Sequence, residues 1–443
     1  MPKILLAMSG GVDSSIAALL LKKQGHEVIG AFMKNWSDTK NDIGECTWRG
    51  ERRMAQKIAT ILNIPLITLD FEKQYRKLVV DKMYKLYKKG ITPNPDIDCN
   101  EKVKFPLLLK EAKKLKCDFI ATGHYARINE ISKKISPKRL ILKNKYVNLK
   151  KDSLINNKVR EGGRGDGDGM DYHYELLRAK DESKDQSYFL YRLKQKELSK
   201  VLFPIGNLTK SQVREIAHKN KFPNYDKKST VGICFIGKVN LKRFLQKKIK
   251  PKKGKILDPE GKQIGEHDGI YYYTIGQRIG PRYEIEVKRG FGAQKKWYVA
   301  RKILKTNTII AAPEGHNLNF RKDVFIKNVH WINNNPLDSI SKNNGNNKNS
   351  KNDNALTINS KYVSDSEPNF RVGGRGVGGG RKKSTKVLSR IRQVGELLPS
   401  ILELKNKKLK VTLKKPITGV SEGQAIVLYQ DKKCLGGGII AFG

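Results

Sequence analysis

The feature that most restricts the fold lies near the amino terminus, where Ser9-Gly10-Gly11-Val12-Asp13-Ser14 separates a short apolar run, residues 3–8, from a helical pattern over residues 14–23. Two adjacent glycines let the backbone turn tightly, so that successive N–H groups and the positive end of the following helix can face a phosphate or pyrophosphate. The stretch has neither the GK[ST] of a Walker A loop nor the GxGxxG spacing of dinucleotide folds. It reads as an anion cradle between a strand and a helix, against the plainer alternative of an ordinary glycine turn.

The remainder of the first third alternates in the same way. Strand patterns over 27–33, 65–69 and 118–122 are separated by helical patterns over 52–62, 75–88 and 105–115, which implies a parallel sheet covered on both faces. Beyond residue 255 the pattern turns to short strands with glycine and aromatic residues, and from 308 it alternates like an antiparallel barrel. The expected fold is therefore α/β, with a parallel-sheet catalytic domain over 1–250. A small central β-rich domain over 251–307 and a C-terminal β-barrel over 308–443 follow it. Two biased segments, about 130–171 and about 333–385, are rich in Lys, Gly, Asn and Ser; such compositions bury too little apolar surface to offset chain entropy, and both read as insertions at loop tips.

Charge narrows the partner. There are 89 Lys and Arg against 43 Asp and Glu, a formal net charge of +46, and an excess of that size favours a polyanion such as nucleic acid. Lysine scattered over solvated faces is the alternative. No basic leader precedes a long apolar region, and no stretch approaches the ~20 apolar residues that span a bilayer, so the chain is expected to be cytoplasmic, with no membrane partner. Five dispersed cysteines without CxxC spacing fit a reducing compartment better than a disulfide scaffold or a zinc site.

Two of those cysteines stand in suggestive settings. Cys99 lies in TPNPDIDCN, close to a helix start among lysines, which biases a thiol toward thiolate. Cys234 lies in GICFIG, flanked by glycines. Singly, each reads as buried filler as readily as reagent; beside an anion-binding loop they suggest one nucleophile and one sulfur carrier. Cys46, Cys117 and Cys434 receive no role. His124, after a strand end, either orients a substrate or is a satisfied structural histidine, and Tyr271 to Tyr273 either stack on RNA or fill a core.

The opening loop resembles the SGGxDS motif of the PP-loop ATP pyrophosphatases, which cleave ATP between its α and β phosphates. SGGVDSS, MKNW, TPNPDIDCN, VKF, ATGHYAR, KDQSYFL, GICFIG, YTIGQR and CLGGGII, in that order, resemble the tRNA-specific 2-thiouridylases within that superfamily. The resemblance runs from end to end apart from the two insertions. It implies a catalytic domain of the PP-loop, adenine-nucleotide-hydrolase-like kind and an ATP site at Ala7, Met8, Ser9, Gly10, Gly11, Val12, Asp13, Ser14, Met33 and Gly123, with Asp13 near Mg²⁺ and no protein-bound metal otherwise. It implies that Asn94, Pro95 and Asp96 meet the target base, that Cys99 is the nucleophile, and that Cys234 carries persulfide sulfur and pairs transiently with Cys99 as a disulfide. It further implies tRNA contacts at Lys184, Asp185, Gln186, Arg390 and Ile391. The implied substrate is a tRNA with a wobble uridine, and the implied partner an external sulfur donor, a cysteine desulfurase or a relay protein. Two departures stand out: Ile391 replaces an aromatic residue, and Ser229, Thr230 and Val231 replace an Asp-Ser-Thr run. Two other classes compete, an amidating PP-loop ligase acting on a small acid and a non-catalytic RNA-binding protein.

Overall fold

The computed structural model describes residues 1–38, 46–134, 170–227, 232, 234, 236, 240–280, 286–287, 296–338, 384–393 and 395–442. Most of both biased segments, and Ser229, Thr230 and Val231, lie outside the described residues. The first sheet runs β3 (Leu66–Asp70), β2 (Glu27–Lys34), β1 (Lys3–Ala7), β4 (Phe119–Thr122), β7 (Val201–Leu202), all parallel. The continuous apolar run of β1 has a simple cause: Ile4 and Leu6 enter one core and Leu5 the other, all fully buried, because helices cover both faces. β1 sits at the centre, with β2 and β4 leaving in opposite directions. That is a topological switch point, where the loops after adjacent strands open a crevice.

Helix Val12–Lys23 begins on the glycine turn itself, two residues earlier than its apolar pattern, with Gly11 as an N-cap that offers no side-chain acceptor. Two strands of the first domain, β5 (Ala126–Lys134) and β6 (Met170–Arg178), pair antiparallel and bracket the first biased segment. Unexpectedly, this hairpin leaves the parallel sheet and pairs through Leu177 with Lys433 of the last strand.

The central module is a six-stranded sheet, in the order β10 (Arg278–Ile279), β12 (Trp297–Ile303), β13 (Thr308–Pro313), β8 (Gly254–Leu257), β9 (Gln263–His267), β11 (Glu286–Val287). Residues 270–272 form a helical turn, and Tyr272 and Tyr273 are buried core. Then β14 (Phe320–Trp331), β17 (Lys408–Thr418), β16 (Leu398–Lys405), β15 (Ser384–Arg390), β18 (Ala425–Gln430) and β19 (Lys433–Ala441) close into a six-stranded antiparallel barrel through β14 and β19. Gly436, Gly437 and Gly438 of β19 allow this closure: a Cβ at Gly436 would stand 2.1 Å from the His330 carbonyl, and one at Gly437 2.2 Å from that of Ile426.

Candidate active site

The glycine turn is fixed by a short hydrogen-bond net. Ser14 and Ser15 hydroxyls donate to the Gly11 carbonyl, both at 3.0 Å, and the Ser9 N–H donates to Ser14 Oγ at 3.2 Å. Asn224 donates from Nδ2 to the Gly10 carbonyl and to Ser15 Oγ. Gly10 holds φ +76°, and a Cβ there would meet the Glu51 carbonyl at 2.3 Å, so only glycine fits. The turn also carries a charge pair that the sequence reading did not find. Asp13 accepts from Lys210 Nζ at 2.6 Å and from the Tyr125 hydroxyl at 2.8 Å. An uncapped helix start, a cation and one carboxylate suit a nucleotide with Mg²⁺, an ion that takes one or two carboxylates plus phosphate oxygens. Among the described residues no cluster of three or more His, Cys, Asp or Glu could hold a metal by itself.

Gly123, at the end of β4, presses on this turn. A Cβ at Gly123 would lie 2.7 Å from the Ser14 nitrogen and 2.8 Å from the Asp13 carbonyl carbon. Its successor, His124, faces away toward the thiols. His124 Nδ1 is 2.6 Å from Thr122 Oγ1 and its Nε2 is 3.3 Å from Lys104 Nζ; Lys104 Nζ in turn stands 3.9 Å from Cys234 Sγ. Three consecutive residues thus join the anion loop to the sulfur site.

Cys99 ends the short helix Pro95–Cys99, which starts at Asn94, whose side chain caps it by accepting from the Ile97 N–H at 3.3 Å. The next five residues, Asn100–Lys104, form a widened turn with i to i+5 hydrogen bonds, a geometry frequent at functional sites; the extra residue swings Lys104 toward the side that Cys99 occupies. Cys99 and Cys234 sulfurs are 3.9 Å apart, and all five cysteines are free thiols. The Cys234 backbone is pinned at both ends, its N–H donating to Asp96 Oδ1 at 2.8 Å and its carbonyl accepting from the Tyr75 hydroxyl.

Electrostatics divide the two thiols, and they correct the expectation for Cys99. That side chain has no exposed surface, although it lies near the start of a helical run that continues without a break from Pro95 to Lys114. Burial, followed by the neighbouring Cys234, pushes its thiol well above the ordinary range. The hydrogen bond from Cys99 lowers Cys234, and Lys104 adds to that against the cost of burial. Thiolate character therefore belongs to Cys234. Burial would lower Lys104, yet Cys234, Cys99 and Asp96 outweigh it, and its ammonium is held above the usual lysine value. His124 is pushed far down by burial and then by Lys104, so its imidazole is neutral. Burial raises Asp96 above the ordinary carboxylate value, against the pull of the Cys234 N–H and Lys104.

A cavity of about 320 Å³ opens beside Asp96, the acceptor of the Cys234 N–H; neither thiol lines it. Asn94, Pro95, Asp96 and Gly232 form one side, and Arg392, Gln393 and Gln424 of the barrel form the other. A second depression, of about 450 Å³, lies near Ile61 and Pro223.

The positions expected to touch tRNA fall otherwise. Lys184 is exposed, whereas Asp185 and Arg390 are 1% and 3% exposed and paired at 2.6 Å. Asp185 also accepts from the Ala179 and Ser187 N–H groups, and Gln186 exchanges hydrogen bonds with the Tyr125 backbone. Ile391 is buried in the barrel core, and its carbonyl accepts from the Tyr188 hydroxyl at 3.0 Å. Four of the five therefore join the catalytic domain internally or bolt it to the barrel, and the aliphatic side chain at 391 packs in the barrel core. Arg392 and Gln393, next in sequence, are the ones that line the cavity. Burial explains the difference, because a polar residue joining two domains looks the same in sequence as one on a surface.

A parallel sheet with a glycine-rich anion turn at its switch point, followed by two β modules and a facing thiol pair, defines a nucleotide-dependent enzyme of the HUP class with appended β domains. Residues 2–238 match the family described as tRNA methyl transferase HUP domain, residues 242–313 its PRC-barrel domain, and residues 356–440 the aminomethyltransferase beta-barrel domain. The chain is 34% identical to the tRNA-specific 2-thiouridylase MnmA of Nitrosomonas eutropha, over 99% of its own length and 98% of that protein. It is 36% identical to MnmA 1 of Geobacillus kaustophilus, over 99% and 95%, and to MnmA of Buchnera aphidicola, over 99% and 96%. The chain belongs to the tRNA-specific 2-thiouridylase family.

Proposed function

We propose that this enzyme makes 2-thiouridine in tRNA, exchanging the C2 oxygen of the wobble uridine for sulfur at the expense of ATP. The observation that carries the reading is the convergence of Cys99 and Cys234, joined through Lys104 and His124 to the glycine turn that suits a nucleotide. ATP supplies one thing, a good leaving group, by converting the inert uridine oxygen into an adenylate. Ser9 to Ser14 and Lys210 would bind the phosphates, Asp13 would take Mg²⁺, and Met33 and Gly123 would border the nucleotide.

The target uridine leaves the stack, as an atom inside stacked bases is out of reach, and enters the cavity between Asn94, Pro95, Asp96 and the barrel. Cys234 receives sulfur as a persulfide from an external donor, such as a cysteine desulfurase or a relay protein. The transferred sulfur bonds to the adenylated C2 and AMP leaves: either Cys99 attacks the Cys234 sulfur and displaces hydrosulfide, which attacks C2, or the persulfide's terminal sulfur attacks C2 and Cys99 then attacks the Cys234 sulfur to free the thiouridine. Both routes leave a Cys99–Cys234 disulfide, which an external thiol reductant reduces before the next turnover. The net charge of +46 draws the polyanionic substrate, and exposed Lys184 is available to it. We place the reaction in the cytoplasm, where thiols stay reduced; among the described residues no helix is long and apolar enough to cross a membrane.

The test is purified protein with tRNA, ATP, Mg²⁺ and a persulfide source, followed by mass analysis of nucleosides. One sulfur-for-oxygen exchange at the wobble uridine is expected, with AMP and pyrophosphate as co-products. Full turnover by Cys99→Ser and Cys234→Ser variants would instead favour an amidating ligase.

A further inference from the structure

Lys104 is a costly residue to bury. Only 9% of it is exposed, and an ammonium taken out of water is tolerated when specific partners receive its hydrogens. Two of those partners are His124 Nε2 at 3.3 Å and Cys234 Sγ at 3.9 Å. An ammonium only donates, so His124 Nε2 must be the acceptor, and its proton resides on Nδ1, facing Thr122 Oγ1 at 2.6 Å. The ring is held in that orientation by Phe105 and Phe203, with centroids at 5.9 Å and 6.1 Å.

The groups facing Cys234 divide by what they touch. Asp96 and the Tyr75 hydroxyl hold its backbone N–H and carbonyl, and Cys99 meets its sulfur with a neutral thiol. Lys104 brings positive charge to the sulfur itself, and His124, neutral behind it, adds none. We infer that Lys104 is a catalytic cation of the sulfur-loading step, keeping the Cys234 sulfur anionic, and that His124, backed by Thr122, is the positioning residue that aims it.

The inference rests on the reading of Cys234 as the sulfur carrier. In loading, the thiolate of Cys234 attacks the terminal sulfur of the donor persulfide. A new S–S bond forms as the donor's S–S bond breaks, the donor's inner sulfur leaves with the electron pair, and the transferred sulfur keeps its proton. Only a thiolate attacks efficiently, so the charge beside Cys234 sets the rate.

The experiment measures the pH dependence of Cys234 alkylation by iodoacetamide in a Cys99→Ser background, with the modified peptide identified by mass. Lys104→Met should raise the midpoint by one pH unit or more and slow alkylation at pH 7 about tenfold, and Lys104→Arg should restore most of it. His124→Asn, which keeps the site polar, should move the midpoint in the same direction by less, and it serves if the methionine variant does not fold. Midpoints unchanged in the Lys104→Met and His124→Asn proteins would overturn the inference. Because alkylation needs neither tRNA nor ATP, a shifted midpoint in a protein that fails to thiolate tRNA would sustain the role of Lys104 while sinking the functional reading.

Discussion

Cys99 and Cys234 are 135 residues apart in the chain and hold their sulfurs 3.9 Å apart. A disulfide needs about 2.05 Å, so the reduced pair is one small rotamer and loop adjustment from bonding. Mild oxidation is expected to link these two cysteines and no others, seen as a crosslinked peptide under non-reducing digestion and a loss of two titratable thiols. Serine at either position should abolish the crosslink and lower tRNA thiolation by about 10³-fold or more, since residues acting as one unit fail together. A crosslink through Cys117 or Cys434 instead would remove the basis for a paired role.

Gly123 is the contact between the two halves of the site. Alanine there would push its Cβ into the Asp13 and Ser14 backbone at 2.7–2.8 Å, too close for any real carbon. Overpacking of this kind costs about 1–3 kcal/mol, and here the strain falls on the nucleotide turn. Gly123→Ala should lower the melting temperature and raise the KM for ATP at least about tenfold, given how steeply rates fall with small misplacement. An unaltered KM would mean that the β4 end does not border the nucleotide.

Much of this site was legible because local chemistry dictates it. The double glycine demanded a positive φ and a close backbone approach at Gly10, and found both; the unbroken apolar run of β1 announced a strand covered on two faces. What escaped was set by distant packing. Lys104 looked like one more lysine of a Lys-rich chain, since nothing nearby in sequence reveals that a widened turn carries its ammonium inward to Cys234. Cys99 was expected to lean toward thiolate from its helix start and lysine neighbours, but side-chain burial outweighs them. The pairing of Asp185 with Arg390 was not foreseen, because the fold, not their neighbours in sequence, brings them together.

That buried pair yields a prediction separating structure from recognition. Asp185 and Arg390 meet at 2.6 Å with almost no exposed surface, and removing one partner leaves an uncompensated charge, a loss of about 3–5 kcal/mol. Arg390→Met and Asp185→Asn should each depress the melting temperature, while an Asp185→Asn/Arg390→Met double variant, which keeps an acceptor for the Ala179 and Ser187 N–H groups, should recover part of it. If Arg390→Met weakened tRNA binding with no change in melting temperature, the pair would be a recognition element after all.

Lys302 ties the central module to the loop that leads to Asn94, Pro95 and Asp96. Its ammonium donates to the carbonyls of Gly90 at 2.8 Å and Tyr273 at 2.7 Å, two residues short of Thr92, which Gln424 grips from the barrel side. Burial lowers its pKa from 10.5 to about 8, so the native state sheds this proton earlier than the unfolded chain does. Below about pH 8 both states are protonated and the burial penalty is constant. Between about 8 and 10.5 the unfolded state binds more protons, and this group makes the protein more stable as pH rises. The neutral amine still has two hydrogens for its two carbonyls, so the clamp survives deprotonation. Urea unfolding of the parent chain and of Lys302→Met across pH 7 to 10 should show the parent gaining relative to the variant above pH 8, by up to about 1.4 kcal/mol per pH unit. Parallel curves would mean that Lys302 stays charged, held by its carbonyls against the cost of burial.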